Sequence, residues 1–454
     1  MRKQFTPRPY QTIATEFCLK VERGNLWAKP GMGKTAIALS MLDILKMCGS
    51  SFFPALVIAP LRVADLVWQA EIEKWTAFEK LSLTKVIGDK DARLGALKRQ
   101  VSDLYVVNYD NIPWLTAQLG AKWPFKTVIA DESTRLKGFR LSHSTVRTRE
   151  LAKVTKYTGR WINMTGTPTP NGLIDLWGQQ WFVDFGARLG RTFTQYMTRW
   201  FSENEYSRIV KPLPGAEEEI YAALRDVSLA LRPEDWFDIN QPVFARTEID
   251  LPERARAVYR EMERAFFVDL GDVEIEAGTA AIKSSKLLQL ASGSVYDDES
   301  KWHDVHDAKL EALEDIVDEF QEPLLVACNW RFTYDRIKRR YPNARVLQTQ
   351  KDQDDWNAGK IEMMLLPYKS ASHGIDLQMG GRGLVYFDMT WDLELREQVL
   401  ERLGPMRQIQ AGFKRNVMAW DLVVRDTMDE QARDRVDTKG TVQDALMAAR
   451  ARHA

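Results

Sequence analysis

The sequence predicts an α/β protein with two lobes of the doubly wound type, each a parallel sheet covered by helices, and a helical insertion between them. The chain has 454 residues, which is room for about two to four domains. Short apolar runs alternate with helical patterns, and the runs fall into two groups. Runs that are apolar throughout predict strands buried on both faces, and alternation with helices makes such strands parallel.

The positions of these runs define the predicted elements. Strands are expected in the first half at 54–60, 104–110, 127–133 and 162–168, and in the second half at 324–330, 344–350, 363–368 and 383–389. Between the groups, over roughly 176–285, Trp, Phe, Arg and Glu recur at helical spacing. We therefore predict a first lobe over 1–175, a helical insertion and linker over 176–250, and a second lobe over 251–454 with C-terminal helices.

The composition limits the classes of function. There are 63 Lys and Arg residues and 63 Asp and Glu residues, so a nucleic-acid surface would have to come from local clustering of charge. Three cysteines without CxxC spacing favour a reducing, cytoplasmic location and argue against a disulfide framework or a zinc site. The basic N-terminus lacks the apolar segment of a secretory signal, and no apolar stretch is long enough for a membrane span.

The stretch A-K-P-G-M-G-K-T, Ala28–Thr35, is a glycine-rich loop that precedes a helical pattern. The backbone N–H groups of such a loop, and the N-terminus of the helix, bind phosphates. We expect Lys34 to reach the β- and γ-phosphates of a nucleotide and the Thr35 hydroxyl to hold Mg²⁺. Ala28 stands where the strict pattern has glycine, and the alternative interpretation is an incidental glycine turn.

Two adjacent carboxylates follow the apolar run V-I-A, in V-I-A-D-E-S-T (128–134). In a parallel sheet, ligands bind beyond the carboxyl ends of the strands. We expect Asp131 to hold Mg²⁺ through water and Glu132 to orient the attacking water as general base. Capping of the next helix is the alternative explanation of these carboxylates.

The string T-G-T-P, Thr165–Pro168, also follows an apolar run, so we expect it at the same edge of the sheet. Its threonine hydroxyls could sense the γ-phosphate site. An ordinary turn from strand to helix, with Asn171 as the N-cap, is the alternative.

Segment 135–160 holds eight Lys and Arg residues and one acidic residue, a local excess in a chain without net charge. Such clusters bind phosphate backbones without reading sequence, although a solvated helix face would look similar. The residues expected to contact nucleic acid are Lys137, Arg140, Arg147 and Arg149.

In this order, the motifs resemble those of the Swi/Snf-type ATPases of helicase superfamily two, in a compact form like those of phage and bacterial genomes. The resemblance implies two tandem RecA-like lobes that hydrolyse ATP with Mg²⁺ on DNA, in the host cytoplasm if the chain is phage-encoded. Further segments that carry it are R-P-Y-Q (8–11), 59–75, V-N-Y-D (107–110), L-A-L-R (229–232), D-L-P (250–252), 286–293, S-A-S-H-G-I-D-L-Q (370–378) and F-D-M-T-W-D (387–392).

The resemblance also implies roles for single residues. The expected ATP contacts are Gln11, Lys29, Gly31, Gly33, Lys34, Thr35, Gly374 and Asp376; the coupling residues are Thr165, Thr167 and Gln398; and the further nucleic-acid contacts are Pro60, Arg62, Ser370 and His373.

Two departures from the family pattern matter. Ser133-Thr134 stand where the family often has Ala-His, and that His helps link hydrolysis to the nucleic-acid track. In segment 398–408, Pro405 occupies the place of the second arginine. Either Arg402 or Arg407 could be the finger that stabilises transition-state charge from across the cleft.

We therefore predict an ATP-driven translocase on double-stranded DNA, with a possible protein partner for recruitment. One alternative is a strand-separating DNA or RNA helicase. Another, of a different class, is a nucleotide-gated DNA-binding module that acts through a protein partner.

Overall fold

The computed structural model describes residues 2–99, 101–142, 144–203, 210–268, 277–368 and 375–438. The chain divides between Phe237 and Asp238 into two compact units, called here the first unit (to Phe237) and the second unit (Asp238–Thr438). Within the described ranges no helix has both the length and the apolar character needed to cross a membrane.

The first unit is built on a seven-stranded parallel sheet in the order β3-β4-β2-β5-β6-β1-β9. The strands of this unit are β1 (Arg23–Ala28), β2 (Ala55–Ala59), β3 (Leu83–Lys85), β4 (Leu104–Asn108), β5 (Thr127–Asp131), β6 (Arg160–Thr165), β7 (Phe201–Glu203), β8 (Val210–Pro212) and β9 (Ser228–Leu231). Its helices are α1 (Pro9–Lys20), α2 (Lys34–Met47), α3 (Trp68–Lys74), α4 (Lys90–Lys98), α5 (Ile112–Leu119), α6 (Val146–Thr155), α7 (Leu176–Asp184), α8 (Phe193–Trp200) and α9 (Ala216–Leu224).

The second unit contains a six-stranded sheet in the order β10-β17-β16-β13-β15-β14, in which every pairing is parallel. Its strands are β10 (Val243–Ile249), β11 (Ser294–Tyr296), β12 (Trp302–Asp304), β13 (Leu324–Cys328), β14 (Arg345–Val346), β15 (Met363–Pro367), β16 (Gly383–Tyr386) and β17 (Met418–Val424). Its helices are α10 (Glu253–Val268), α11 (Ala277–Ala291), α12 (Ala308–Phe320), α13 (Arg331–Arg340), α14 (Gln350–Asn357), α15 (Leu393–Leu403) and α16 (Pro405–Gln410).

These two parallel sheets confirm the predicted fold class. Each of the eight apolar runs contains an observed strand, and central strands such as β2, β4 and β5 are buried along their whole length. Burial on both faces is what a continuous run of Val, Ile, Leu and Ala predicts, because neither side of the strand faces water.

The domain boundaries differ from the predicted ones. Segment 176–250 is not a separate insertion, since α7, α8 and α9 belong to the first unit and β9 pairs with β1 as the edge strand of the first sheet. β10 lies on the other side of the division and pairs with β17 in the second sheet. Residues 428–438 are helical, and the residues after 438, where further helices are expected, lie outside the described ranges.

The middle of the first sheet carries a row of buried amides. Asn25 on β1 donates to Gln180 Oε1 (2.8 Å) and Ser228 Oγ (3.0 Å), and accepts from Asn163 Nδ2 (2.9 Å). Because both amide hydrogens and the amide oxygen of Asn25 have partners, burial does not leave an unsatisfied group on this side chain, which would destabilise the fold. This row ties β1 to its neighbours β6 and β9 and to α7.

Candidate functional site

The strand order brings three of the predicted motifs to one edge of the first sheet. β5, β6 and β1 are consecutive neighbours, and all run in the same direction. Their carboxyl ends therefore place the carboxylate pair, the T-G-T-P turn and the glycine-rich loop side by side. The turn occupies the middle position, between the carboxylates and the loop.

The glycine-rich loop connects β1 to α2. Gly31 and Gly33 have φ values of 84° and 76°, in the left-handed region that glycine enters without strain. Ala28 is the last residue of β1 and is buried, so its position does not require glycine. The alanine therefore departs from the strict glycine-rich pattern without changing the two left-handed glycines. The loop takes the course of a phosphate-binding turn.

The N-terminus of α2 carries a partial positive charge and has no side-chain cap, so it can attract a negatively charged ligand. Its N-cap is Gly33, which makes no side-chain capping bond, so the first N–H groups of a 14-residue helix depend on solvent or a ligand for a partner. Lys34 Nζ donates to the carbonyl of Ala28 at 2.9 Å, which holds the ammonium group across the loop. This arrangement suits an anion such as a phosphate.

Gln11 lies against the same loop. A Cβ atom on Gly33 would come within 2.4 Å of Gln11 Nε2, so the absence of a side chain at Gly33 makes room for the glutamine. The Arg8 N–H donates to Gln11 Oε1 at 2.9 Å, and this bond fixes the orientation of the amide. Gln11, one of the expected ATP contacts, is therefore close to the loop, while Lys29 and Thr35 are half-buried within the same segment.

The carboxylate of Asp131 is held from the side of α3. Trp68, a fully buried residue, donates its indole N–H to Asp131 Oδ2 at 3.1 Å. Tyr109 donates its hydroxyl to the main-chain oxygens of Asp131 (3.0 Å) and Glu132 (3.3 Å). Burial raises the pKa of this tyrosine well above its usual value, so the hydroxyl remains a donor. Both aromatic residues lie in segments that carry the family resemblance, 59–75 and 107–110, but neither is among the predicted site residues.

Glu132 adopts a backbone conformation that is uncommon for its residue type. Its φ and ψ are 57° and 58°, in the left-handed region where a side chain with a Cβ atom is strained. Such strain is often found where a side chain must be aimed at a functional position. Thr165 Oγ1 lies 3.5 Å from Glu132 Oε2, a long contact that connects the turn after β6 with the candidate base.

The T-G-T-P turn packs directly on the loop. A Cβ atom on Gly166 would lie 2.8 Å from Pro30 Cδ and 3.3 Å from the Ala28 carbonyl, so only glycine permits this approach. The Thr167 N–H donates to Thr165 Oγ1 at 3.1 Å, which orders the two threonines within the turn. Both hydroxyl-bearing residues predicted for coupling thus lie between the loop and Glu132.

The residues of this edge fit a magnesium nucleotide. Mg²⁺ takes oxygen ligands; Thr35 supplies a hydroxyl in the first turn of α2, and Asp131 supplies a carboxylate at the end of β5. The Asp131 residue is only 5% exposed, so a charge held there would be partly shielded from water.

Two residues predicted to contact nucleic acid follow β2, the strand next to β5. Pro60 is buried and accepts from the Ala64 N–H at 2.9 Å, while Arg62 is exposed. Residues 61 and 62 are helical, and Val63–Val67 form a π-helical turn before α3 begins at Trp68. Turns of this kind are frequent at functional sites, and this one connects exposed Arg62 to the tryptophan that holds Asp131.

The basic segment 135–160 divides into internal and external charges. Arg140 donates to the carbonyls of Lys137 and Phe139 at 2.9 and 2.6 Å and lies 3.3 Å from the Phe193 ring centroid. Burial lowers its pKa. These contacts give Arg140 a role in packing, and its predicted contact with nucleic acid stays a prediction. Arg160, only 2% exposed, donates to the carbonyls at the end of α1.

The external charges of this segment remain candidates for a polymer contact. Arg149 has 55% of its side chain exposed, and Arg147 has 31% exposed while paired with Asp110 at 3.0 Å. Lys137 is half-buried at the start of the segment. All three lie on the part of the chain that follows β5 directly.

In the second unit, the two candidate finger arginines have different surroundings. Arg402 is 4% exposed and donates to the carbonyls of Gln398 (2.9 Å) and Ile375 (3.1 Å). Arg407 pairs with Asp376, and burial lowers its pKa to about 10. The predicted residues Ser370, His373 and Gly374 lie outside the described ranges.

Comparison with known proteins identifies the family. The SNF2-related domain family matches residues 10–302, more than half of the chain. The chain belongs to this family. It is 46% identical over 456 residues to putative protein p41 of Acyrthosiphon pisum secondary endosymbiont phage 1, covering 98% of this chain and 99% of that protein.

Other SNF2-related proteins are more distant. The ISWI chromatin-remodeling complex ATPase ISW1 of Saccharomyces cerevisiae is 23% identical, over 95% of this chain but only 40% of its own length. Among solved structures, the Sulfolobus solfataricus SWI2/SNF2 ATPase core in complex with dsDNA is 19% identical with a TM-score of 0.45, covering 99% of this chain and 94% of that one. The family confirms the resemblance to Swi/Snf-type ATPases of superfamily two and implies ATP hydrolysis that depends on nucleic acid.

In this SNF2-related chain, a pair of hydrogen-bonded side chains links the carboxylate pair to the T-G-T-P turn. Ser133 donates its hydroxyl to Gln179 Oε1 at 2.9 Å, and Gln179 Nε2 donates to the Pro168 carbonyl at 2.8 Å. Both side chains belong to buried residues. The sequence alone gave no signal for this link, because 46 residues separate the two partners.

Proposed function

We propose that this protein is an ATP-hydrolysing translocase that moves on double-stranded DNA. The observation that carries the proposal is the side-by-side placement of the loop, the T-G-T-P turn and the carboxylate pair at the ends of β1, β6 and β5, in a chain of the SNF2-related family. The charges of Arg62 and Arg149, which are exposed, and of half-buried Arg147 support a phosphate backbone as the second ligand.

In the proposed reaction, the loop and the N-terminus of α2 bind the phosphates of ATP, and Lys34 moves from the Ala28 carbonyl to the β- and γ-phosphates. Glu132 accepts the proton of the attacking water. Thr35 and Asp131 would hold Mg²⁺, which supplies charge neutralisation at the phosphates when it is bound. Trp68 and Tyr109 keep the carboxylate strand end in position, and Thr165 and Thr167 report the state of the γ-phosphate.

The arginine that stabilises transition-state charge remains a choice between Arg402 and Arg407. Substitution of each in turn by Lys separates them, because a lysine keeps the charge but loses the planar, forked donor set. The finger should lose on the order of 10³-fold or more in turnover, and the other position much less.

The proposal is tested by steady-state ATPase activity without polymer and with single-stranded DNA, double-stranded DNA or structured RNA, at low and moderate salt. Stimulation by duplex DNA that weakens as salt rises is the expected result, since phosphate contacts release counterions. Stimulation by single strands or RNA would replace the proposal with a helicase. ATP binding without any stimulation would favour a nucleotide-gated module that needs a protein partner.

A further inference from the structure

A buried hydrogen-bonded chain connects the carboxylate strand end to the T-G-T-P turn through α7. Ser133 directly follows Glu132, and its hydroxyl donates to Gln179 Oε1 at 2.9 Å. Gln179 Nε2 donates to the carbonyls of Pro168 at 2.8 Å and Asp175 at 3.0 Å. Ser133 is 0% exposed and Gln179 3% exposed, so water cannot replace either partner.

The same helix is fixed to the start of the basic segment. A Cβ atom on Gly178 would come within 2.6 Å of the carbonyl oxygens of Leu136 and Lys137, so α7 lies against the backbone of this segment without an intervening side chain. Phe139 stacks on Trp177 of α7 with an interplanar angle of 5°. A displacement of the backbone at 136–139 cannot occur without moving α7, because closely packed interiors transmit such shifts.

Three parts of the first unit therefore contact α7. They are Ser133, which follows Glu132, the T-G-T-P turn after β6, and residues 136–139 at the start of the basic segment. We propose that Gln179 is a positioning residue that couples DNA contact at the basic segment to the orientation of Glu132. The inference rests on the proposed function. Gln179 acts through Ser133 and Pro168, and it does not itself touch ATP.

The bond between Ser133 and Gln179 offers an explanation for the departure from the family pattern at Ser133-Thr134. Where the family often places Ala-His, this chain has a small hydroxyl that is buried and needs a partner, and the amide of Gln179 supplies the acceptor. The amide can accept from Ser133 and donate to Pro168 at the same time. One planar group thus fixes two motifs relative to each other.

The test compares Gln179→Leu with Gln180→Leu, a matched control. The two glutamines are neighbours on α7 and are 3% and 2% exposed, but Gln180 bonds to Asn25 and Asp184, away from the carboxylate strand end. Both substitutions remove a buried amide of the same size. The readouts are kcat and KM for ATP without DNA and with saturating duplex DNA, together with the thermal unfolding midpoint.

We expect Gln179→Leu to lower the stimulation ratio, the kcat with DNA divided by the kcat without it, by about five- to tenfold. Gln180→Leu should lower the unfolding midpoint by a similar amount and keep the stimulation ratio. The double variant Ser133→Ala with Gln179→Leu should regain part of the lost stability, because no hydroxyl is left unpaired, while its stimulation ratio stays low.

The outcomes separate this inference from the proposed function. A wild-type enzyme that no DNA stimulates overturns both. A stimulated wild-type enzyme whose stimulation survives in Gln179→Leu overturns only the coupling role. Equal loss of stimulation in Gln179→Leu and Gln180→Leu, or recovery of stimulation in the double variant in step with stability, would also overturn it, since either result shows that only the stability of α7 matters.

Discussion

Each unit contains a parallel strand followed by a loop and a helix, β1 to α2 in the first and β13 to α13 in the second, but the two loops differ in what lies beside them. In the first unit, the glycine N-cap of α2 leaves the helix start without a side-chain cap. In the second, the N-cap of α13, Trp330, likewise has no side-chain cap, but Asp388, just after β16, accepts from the Asn329 N–H of the loop at 2.6 Å and from the Thr333 hydroxyl of α13 at 3.0 Å.

The difference shows that similar strand-loop-helix segments can have different partners. A helix N-terminus attracts negative charge. In the second unit the space beside the loop is occupied by a side chain of the protein, Asp388, which is 0% exposed and whose pKa is raised by burial. In the first unit we propose that the helix N-terminus binds the phosphates of a ligand.

The largest effect is expected at the carboxylate beside the loop. Glu132→Gln removes the candidate base and keeps the shape of the side chain, so turnover should fall on the order of 10²–10⁴-fold while ATP still binds. Steady-state ATPase activity and equilibrium binding of a fluorescent ATP analogue measure the two properties. Glu150→Gln is the control on the outer side of the same unit; turnover at the parental rate in Glu132→Gln would place the base elsewhere.

Lys34→Ala should reduce turnover on the order of 10²–10³-fold, because it removes the charged donor that we propose for the phosphates. Lys46→Ala is the matched control, since Lys46 also lies on α2 but pairs with Asp103 at 2.7 Å. Comparable ATPase loss in both variants would indicate damage to the helix instead of loss of a phosphate contact. ATP affinity, measured by calorimetry, should weaken only in Lys34→Ala.

His306 makes the second unit sensitive to acid. Burial lowers its pKa from the usual 6.5 to about 4, and the neutral ring both contacts the Leu290 carbonyl (2.8 Å) and accepts from the Ala308 N–H (3.3 Å). Between pH 6.5 and 4 the unfolded chain therefore binds a proton that the folded unit does not. Stability should fall as pH falls through this window, by at most about 3 kcal/mol.

Denaturant unfolding followed at several pH values measures this effect. His306→Asn should flatten the part of the pH dependence between 6.5 and 4, even if the variant is less stable throughout. His303→Asn is the control, because His303 has 64% of its side chain exposed. An unchanged slope in His306→Asn would assign the acid sensitivity to carboxylates.

Asp388→Ala tests the carboxylate beside the loop that precedes α13. It leaves the Asn329 N–H and the Thr333 hydroxyl without this acceptor, and this should lower the free energy of unfolding by about 1–3 kcal/mol. ATP affinity should not change, because this side chain contacts the protein itself and not a ligand. Asp388→Asn keeps an acceptor oxygen and should retain more of the stability; weaker ATP binding in either variant would contradict the contrast between the two loops.

The sequence predicted the elements whose pattern is local. All eight apolar runs contain strands, because continuous burial leaves a continuous apolar signature. β1 escaped prediction, since its first half contains Gly24 and Asn25, and Asn25 is polar yet fully paired inside the sheet. β9 was hidden in a segment of helical composition, and its place at the sheet edge is set only by pairing with β1.

The candidate site could be predicted as motifs but not as contacts. The loop, the carboxylates and the turn have local signatures that reflect backbone conformation and chemistry. The residues that form hydrogen bonds to these motifs, such as Trp68 and Gln179, lie 63 and 46 residues from their partners. A local sequence pattern cannot predict which residues pair over such a separation. Arg140 shows the same limit, because charge density does not reveal that its guanidinium lies over the Phe193 ring.

The smallest effect is expected at Trp68. Trp68→Phe keeps an aromatic ring in the core but removes the N–H that donates to Asp131 at 3.1 Å, and the loss of one such bond is worth about 0.5–1.5 kcal/mol. We expect kcat to fall about two- to tenfold, with a higher Mg²⁺ requirement, because Asp131 is less well oriented. Trp75→Phe is the matched control, since Trp75 donates to the Glu71 carboxylate at 2.6 Å at the other end of α3. If both variants lose activity equally, the loss comes from a less stable α3 and not from the bond between Trp68 and Asp131. The difference between the two units would then depend only on the glycine-rich loop and Glu132.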